Sequence, residues 1–287
     1  MANIRLIRRR IRGVQSIAKI TRAMEMIATS KMRRAQDRGL AGRPYAEKIM
    51  QVISDLAAIQ GDNPLHPLLQ RRPISRVAIV HITPDRGLCG GLNANINRSA
   101  NSFILQQQAP VSVTAVGRKG LDSMHRLGRE IRAEFTGLGD QPSLLDTLPI
   151  SRIIIDDYES GRIDAAYLSY TQFVSTLTQK AVVQPILPVE PAAIPRAENV
   201  EYIYEPNAQE VLAGLLPRFV EMEIYHAILE SIASEQSARM VAMRNATDNA
   251  KELVDDLTLV YNKARQEAIT KELLDITGGV AALSAAR

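Results

Sequence analysis

One cysteine, Cys89, in 287 residues rules out an internal disulfide and a zinc cluster built on thiolates. Tryptophan is missing and aromatic residues make up 4% of the chain, too few for an aromatic-rich sandwich or a base-stacking surface. The four histidines, His66, His81, His125 and His226, show no metal-ligand spacing. No apolar run approaches the roughly 18 residues of a membrane span, so any membrane attachment would run through partners. Known catalytic signatures are absent as well: there is no G-x-S-x-G, no H-E-x-x-H and no G-x-x-x-x-G-K-S/T.

Acidic residues are scarce at one end. Between Met1 and Arg43 there are twelve Lys or Arg against Glu25 and Asp37, a local net charge of +10 in a chain whose total is +4. Charge alone leaves several readings open: a solvated helix face, a surface for an acidic partner, an anionic surface or nucleic acid, or an Arg-rich transit peptide. A sustained helical pattern through this segment favours mature structure over a transit peptide.

That pattern is specific. Ile4, Ile7, Ile11, Val14, Ala18, Thr21, Glu25, Ala28, Met32 and Ala35 step by three and four, which predicts a heptad seam. Ile17, Ile20, Met24 and Ile27 form a second apolar stripe, as on a helix packed on one side and enclosed on another. The C-terminal segment matches. After Pro217 there is no proline, and Ala233, Gln236, Met240, Met243, Thr247, Ala250, Val254, Leu257, Tyr261, Ala264 and Ala268 repeat the spacing. A helix from about Gln209 to Leu283 would reach roughly 110 Å, too long for any core of this size. Its seam is rich in Ala, Thr, Gln and Met, so it buries less apolar area per heptad than a leucine zipper.

The middle has another texture. Short strands are predicted at Arg76–Ile82, Pro110–Val116, Glu130–Thr136, Asp164–Tyr170 and Ala181–Leu187, with helices at roughly Leu92–Gln108, Arg118–Leu127 and Ser143–Ser160. This alternation predicts a mostly parallel sheet covered on its faces. The fold class is therefore α/β plus all-α: a long antiparallel two-helix coiled coil from the chain ends and an α/β middle domain. The expected boundaries are 1–60, 74–190 and 207–287.

A glycine-rich loop, "TPDRGLCGGLN" (Thr83–Asn93), follows the first strand, where many α/β proteins cradle a phosphate. Its glycines, Gly87, Gly90 and Gly91, read G-x-x-G-G rather than G-x-G-x-x-G, and no acidic residue ends the next strand. Asp85 and Arg86 are expected to pair or to cap the helix, and Cys89 to be packed rather than nucleophilic. A nucleotide-binding α/β enzyme using the Gly87–Gly91 loop is the alternative that this segment keeps open.

Three stretches carry a family resemblance. "IRRRIRGVQSIAKITRAMEMIATSKMRRAQ" (Ile7–Gln36) resembles the N-terminal signature of the gamma subunits of F-type ATP synthases. "SEQSARMVAMRNATDNA" (Ser234–Ala250) and "LVYNKARQEAITKELLDITGG" (Leu259–Gly279) resemble their C-terminal helix, and "DRGLCGGLN" resembles the loop after the first strand of their middle domain. The resemblance covers essentially the whole chain.

It implies a Rossmann-like middle domain that binds no dinucleotide, no cofactor and no metal, and a subunit that is not itself an enzyme. It implies a central-stalk rotor inside a hexamer of three alpha and three beta subunits, one gamma to three of each. The rotor also meets the epsilon subunit and the membrane ring of c subunits, and it binds no nucleic acid. By the same resemblance, contacts with beta map onto Met24, Arg239, Arg265, Gln266 and Thr270, and the foot near the c ring onto Tyr202 and Tyr204. From pattern alone Met24 reads first as coiled-coil core, and Arg265 and Gln266 as solvated surface. The lone Cys89 excludes dithiol control of the chloroplast kind. The expected location is the cytoplasmic face of a bacterial cell membrane, held peripherally, with the matrix side of the mitochondrial inner membrane as the alternative.

Overall fold

A computed structural model describes residues 4–60, 66–190, 204–205 and 207–285. The chain divides into two compact units, one of residues 1–27 with 240–287 and the other of residues 28–239. Two long helices, α1 (Ile4–Gln60) and α5 (Ala208–Ala285), contribute to both.

The smaller unit is a pair of helices, 4–27 of α1 and 240–285 of α5. Thr21 meets Thr247 across it, with the hydroxyls 2.7 Å apart, and Glu25 meets Arg244 at 3.6 Å. Numbers rise on one helix as they fall on the other, so the pair is antiparallel. Along α1 every residue of the seam foreseen from spacing is withdrawn from solvent. Ile4, Ile7, Ile11 and Ala18 are half-buried, and Val14, Thr21, Glu25, Ala28, Met32 and Ala35 are buried. Along α5 the same holds from Met243 through Ala250 to the half-buried Val254, Leu257, Tyr261, Ala264 and Ala268. Two periods of three and four suffice to fix one face of a helix, which is why the residues could be named from spacing.

The larger unit holds the sheet, in the order β3-β2-β1-β4-β5. Its strands are β1 (Val77–Ile82), β2 (Val111–Val116), β3 (Ile131–Phe135), β4 (Ala165–Phe173) and β5 (Gln179–Leu187). The first four pair in parallel, and β5 returns antiparallel beside β4. Helices α2 (Leu92–Gln106), α3 (Arg118–Arg126) and α4 (Leu144–Glu159) cross between the strands. Every residue of β1 is buried, as a central strand covered on both faces requires. Ala78, Val80 and Ile82 point into a core shared with Ile150 and Ile154 of α4, Ile49, Ile53 and Leu56 of α1, and Leu212 to Ala233 of α5. Ile79 points the other way, into a smaller core with Ala100 and Ile104 of α2 and Met124 of α3.

Both long helices run through a proline, as the expected spans 1–60 and 207–287 require: α1 passes Pro44 to reach Gln60, and α5 begins at Ala208, before Pro217. Each proline removes one backbone donor, a local cost. Burial of Ile49, Ile53 and Leu56 on one side, and of Leu212, Leu216 and Val220 on the other, outweighs it.

Candidate functional site

The glycine loop is the first candidate. Within it Leu88 (φ 64) and Gly90 (φ 60) are left-handed, and Gly91 precedes α2 without a side-chain cap. Asp85 does not pair with Arg86. Its Oδ1 accepts from the backbone N–H of Arg118 at 2.9 Å, at the start of α3, and its Oδ2 accepts from Gly137 N–H at 3.0 Å. The capping role foreseen for Asp85 thus falls on α3, the helix after the next strand. Its carboxylate lies where an approaching phosphate would need those N–H groups free.

Helix α5 closes the rest. Arg239 Nη2 donates to the carbonyl of Gly87 at 3.1 Å and to Glu235 Oε1 at 2.6 Å. Burial pushes the Glu235 carboxyl up, against the pull of Arg239, with Asp140 and Asp85 adding to the rise. The cavity left among Thr83, Asp85, Gly117, Phe135, Ile232 and Glu235 measures about 50 Å³. Pockets for cofactor-sized ligands run to roughly 300 Å³ or more. A crevice this small, whose only polar side chains are those of Thr83, Asp85, Ser231 and Glu235, has no room for a dinucleotide. Cys89 is 1% exposed, with burial and then Glu235 pushing its thiol up, so it is a packed residue rather than a thiolate nucleophile.

A second constellation looks catalytic and is sealed. His81 Nε2 sits 2.8 Å from Asn97 Oδ1, and its Nδ1 sits 3.1 Å from Ser169 Oγ. His81 and Ser169 are both fully buried, so no substrate reaches the hydroxyl. Burial lowers the imidazole pKa to about 4, the hydrogen bond to Asn97 opposing it. The unfolded chain takes this proton near pH 6.5 and the folded chain only near pH 4. Stability from neutral His81 is therefore full above about pH 6.5 and is lost as the pH falls through about 4, at most roughly 3 kcal/mol by linkage. Glu223 and Glu235, whose carboxyl pKa values are raised by burial, act in the opposite sense: their contribution is present at low pH and lost as the pH rises. The stability difference between the parent and His81→Gln should accordingly shrink from pH 7 to pH 4 in urea unfolding. A constant difference would place the proton elsewhere.

The helix pair presents exposed surfaces. Of the second stripe, Ile17, Ile20 and Ile27 are 53 to 59% exposed, and Met24 is half-buried beside the seam. Arg5, Arg8, Arg9, Arg10 and Arg12 all face solvent on the same helix. Extending the Thr21–Thr247 register brings Ile4 opposite Ala264. Beyond that level α5 runs on with Ile269, Leu273, Leu274 and Ile276 exposed. Arg265, Gln266 and Thr270 lie on this stretch and are exposed. Met24 is level with Arg244, about 30 Å along the helix from Arg265, so these residues form no single site. Arg239 belongs to the larger unit and is held there by Glu235 and Gly87. Tyr202 lies outside the described residues. Tyr204 packs half-buried against the main core.

Among the described residues no helix is long and apolar enough to cross a membrane, and no group of His, Cys, Asp or Glu could hold a metal ion. Sequence reasoning missed the glycines that do matter, Gly117 and Gly120 of "VGRKG". A Cβ on Gly117 would lie 1.8 Å from the Thr83 carbonyl oxygen, and one on Gly120 2.7 Å from the His81 ring. Their only signal was a pair of glycines three residues apart just after β2, one before α3 and one in its first turn.

Comparison with known proteins agrees on one family. A family model described as ATP synthase matches residues 3–283. An ATP synthase gamma chain of Dehalococcoides mccartyi is 66% identical over 285 residues, covering 99% of this chain and 100% of its own length. One from Chloroflexus aurantiacus is 50% identical over 289 residues, covering 99% and 100%. Among solved structures, a chain of the central stalk and c ring of the Tetrahymena thermophila mitochondrial ATP synthase is similar with TM-score 0.61 and 25% identity, over 79% of this chain and 99% of that one. A chain of the Euglena gracilis mitochondrial ATP synthase has the same fold, with TM-score 0.69 and 20% identity over 98% and 95%.

Proposed function

The chain belongs to the ATP synthase gamma-chain family, and from that premise we propose that it is the non-catalytic central-stalk rotor of a proton-translocating F-type ATP synthase. The observation that carries the reading is full-length 66% identity to a gamma chain, in a protein whose ends form an antiparallel helix pair. In this role the pair turns inside the hexamer of three alpha and three beta subunits. An asymmetric shaft meets the three catalytic sites with different faces, and so carries them through different affinities in turn. The exposed Ile17, Ile20 and Ile27 give the shaft an apolar flank suited to an enclosing sleeve. The Arg-rich start of α1 suits acidic loops, which attract without locking register. The seam, poor in Leu, keeps the shaft slender.

The partners follow: alpha and beta at three each to one of this chain, the epsilon subunit, and the ring of c subunits at the foot. Bacterial relatives of such high identity support the cytoplasmic face of the cell membrane, with attachment through partners. Met24, Arg265, Gln266 and Thr270 are the contacts with beta on the helix pair, Arg239 the contact at the edge of the α/β unit, and Tyr202 and Tyr204 the foot.

Expression with its own alpha and beta subunits tests the reading. Co-purification at three, three and one, with ATP-driven proton uptake once the membrane sector is added, is the expected result. Recovery of the chain free of both subunits would overturn it. The contact residues have a separate test. Arg265 and Gln266 are exposed, so replacing both with Ala should leave the chain's own stability within about 0.5 kcal/mol of the parent. The same double variant should be recovered with alpha and beta in lower yield. Unchanged yield would remove both residues from the contact.

A further inference from the structure

One short loop takes hold of both long helices. Between β3 and α4, the 136–142 loop is turned by Gly137 and Gly139, each with φ 76. Asp140 sits at its crest and uses both oxygens: Oδ2 pairs with Lys31 Nζ of α1 at 2.5 Å, and Oδ1 accepts from Gln236 Nε2 of α5 at 3.2 Å. The next residue, Gln141, accepts from Arg38 Nη2 of α1 at 2.7 Å. At its two ends, Gly137 N–H is held by Asp85, and the Pro142 carbonyl accepts from Tyr225 of α5 at 3.4 Å. All of these residues lie in the larger unit.

We infer that the 136–142 loop is the latch through which the α/β body and the two helices turn as one, with Asp140 as its positioning residue. The inference rests on the rotor reading. Among the described residues, α1 also packs against the body through apolar side chains, Ala35, Ile49, Ile53 and Leu56 in the main core. Apolar burial resists separation, but it is non-directional and resists sideways sliding weakly. Hydrogen bonds and ion pairs have preferred directions and lose strength when the partners shift. Lys31 and Arg38 lie seven residues apart, two turns of one helix face, so the loop grips α1 at two heights. The helix α5 has further polar ties to the body, Ser234 to the Thr171 carbonyl and Arg239 to that of Gly87, so the latch matters most for α1.

Neither partner of the central pair is deeply buried: the side chains of Lys31 and Asp140 are 30% and 40% exposed. Such a pair adds little to folding stability. Its removal should therefore act on coupling and spare the fold. The test uses the assembled complex in membrane vesicles, with ATP hydrolysis and ATP-driven proton uptake measured together. Lys31→Glu and Asp140→Lys should each lower proton uptake per ATP about twofold while hydrolysis persists, and the double swap should restore most of the loss, as a double-mutant cycle requires. Both single variants of the free chain should melt within a few degrees of the parent. The milder Asp140→Asn, which keeps the side-chain shape, should lie between parent and Asp140→Lys in proton uptake. Singles that pump like the parent, or a double no better than the worse single, would overturn the latch. A parent complex without any ATP-driven proton uptake would instead overturn the rotor reading on which the latch depends.

Discussion

Gly117→Ala should unfold the α/β unit at a temperature about 8–15 °C below the parent, a loss on the order of 4 kcal/mol for a unit of this size. Two causes act at one atom. Gly117 has φ 93 and ψ 142, a conformation essentially closed to residues with a side chain. A Cβ built there would lie 1.8 Å from the Thr83 carbonyl oxygen and 2.7 Å from its carbon. Neither is the free end of a side chain. Thr83 N–H donates to the Val116 carbonyl at 2.8 Å, the Thr83 hydroxyl accepts from Gly120 N–H at 2.7 Å, and Gly117 N–H donates to the Phe135 carbonyl at 2.8 Å. Relief would pull the ends of β1, β2 and β3 apart together. Seven of the eight tyrosines lie in residues 28–239, so the tyrosine signal in a thermal scan reports this unit. The contrasting case is Gly13→Ala. Gly13 is helical, exposed and has nothing within 4 Å of a built Cβ. Alanine there should stabilise the helix pair by about 0.5–1 kcal/mol. Equal melting of Gly117→Ala and the parent would show that the crossing at Thr83 relaxes freely.

This pair of glycines also marks where the sequence was legible. The helix seam was fully readable, because a helix face is set by spacing within one segment and the heptad steps named its residues in order. The strands were readable for the same local reason. The glycine loop drew attention to Gly87, Gly90 and Gly91, where a built Cβ meets at most the Asn95 side chain at 3.8 Å. The tight positions were Gly117 and Gly120, whose partner Thr83 lies more than thirty residues earlier. Long-range partners are invisible to spacing. Arg239 bonded to the Gly87 carbonyl, Asp140 between Lys31 and Gln236, and Asp85 at the start of α3 all join segments that only the folded sheet brings together. The filled crevice belongs to the same class. Local texture kept a phosphate loop open only as an alternative, and the contact of Arg239, from a helix at the far end of the chain, with the Gly87 carbonyl was not readable from it.

Glu25→Lys should separate the two helices of the smaller unit while leaving the α/β unit folded. Between Ile4 and Ile27 there are seven basic side chains and one acid, Glu25. That carboxylate is 11% exposed in the seam, 3.2 Å from Arg22 on its own helix and 3.6 Å from Arg244 on the other. A lysine there loses both attractions and sets three cations around one nearly buried position, one turn from the Thr21–Thr247 contact. Reversing a buried, paired charge costs roughly 3–5 kcal/mol. Arg244 is 68% exposed and can turn toward water, which lowers the expected cost to about 2–4 kcal/mol. Little opposes it near Glu25, because Ala18, Thr21, Thr247 and Ala250 of the seam bury less apolar area than Leu would. Hydrogen exchange locates the damage. Amides of 4–27 and 240–268 should lose protection, while those of β1, β2 and β4 and the tyrosine melting signal stay at the parent's values. Glu25→Gln, which removes the charge without reversing it, should fall between. Arg244→Glu added to Glu25→Lys restores an opposite-charge pair across the helices and should recover most of the protection. Parent-like exchange in Glu25→Lys would mean that the carboxylate does not hold the helices together, and that the small and apolar seam residues alone set their register.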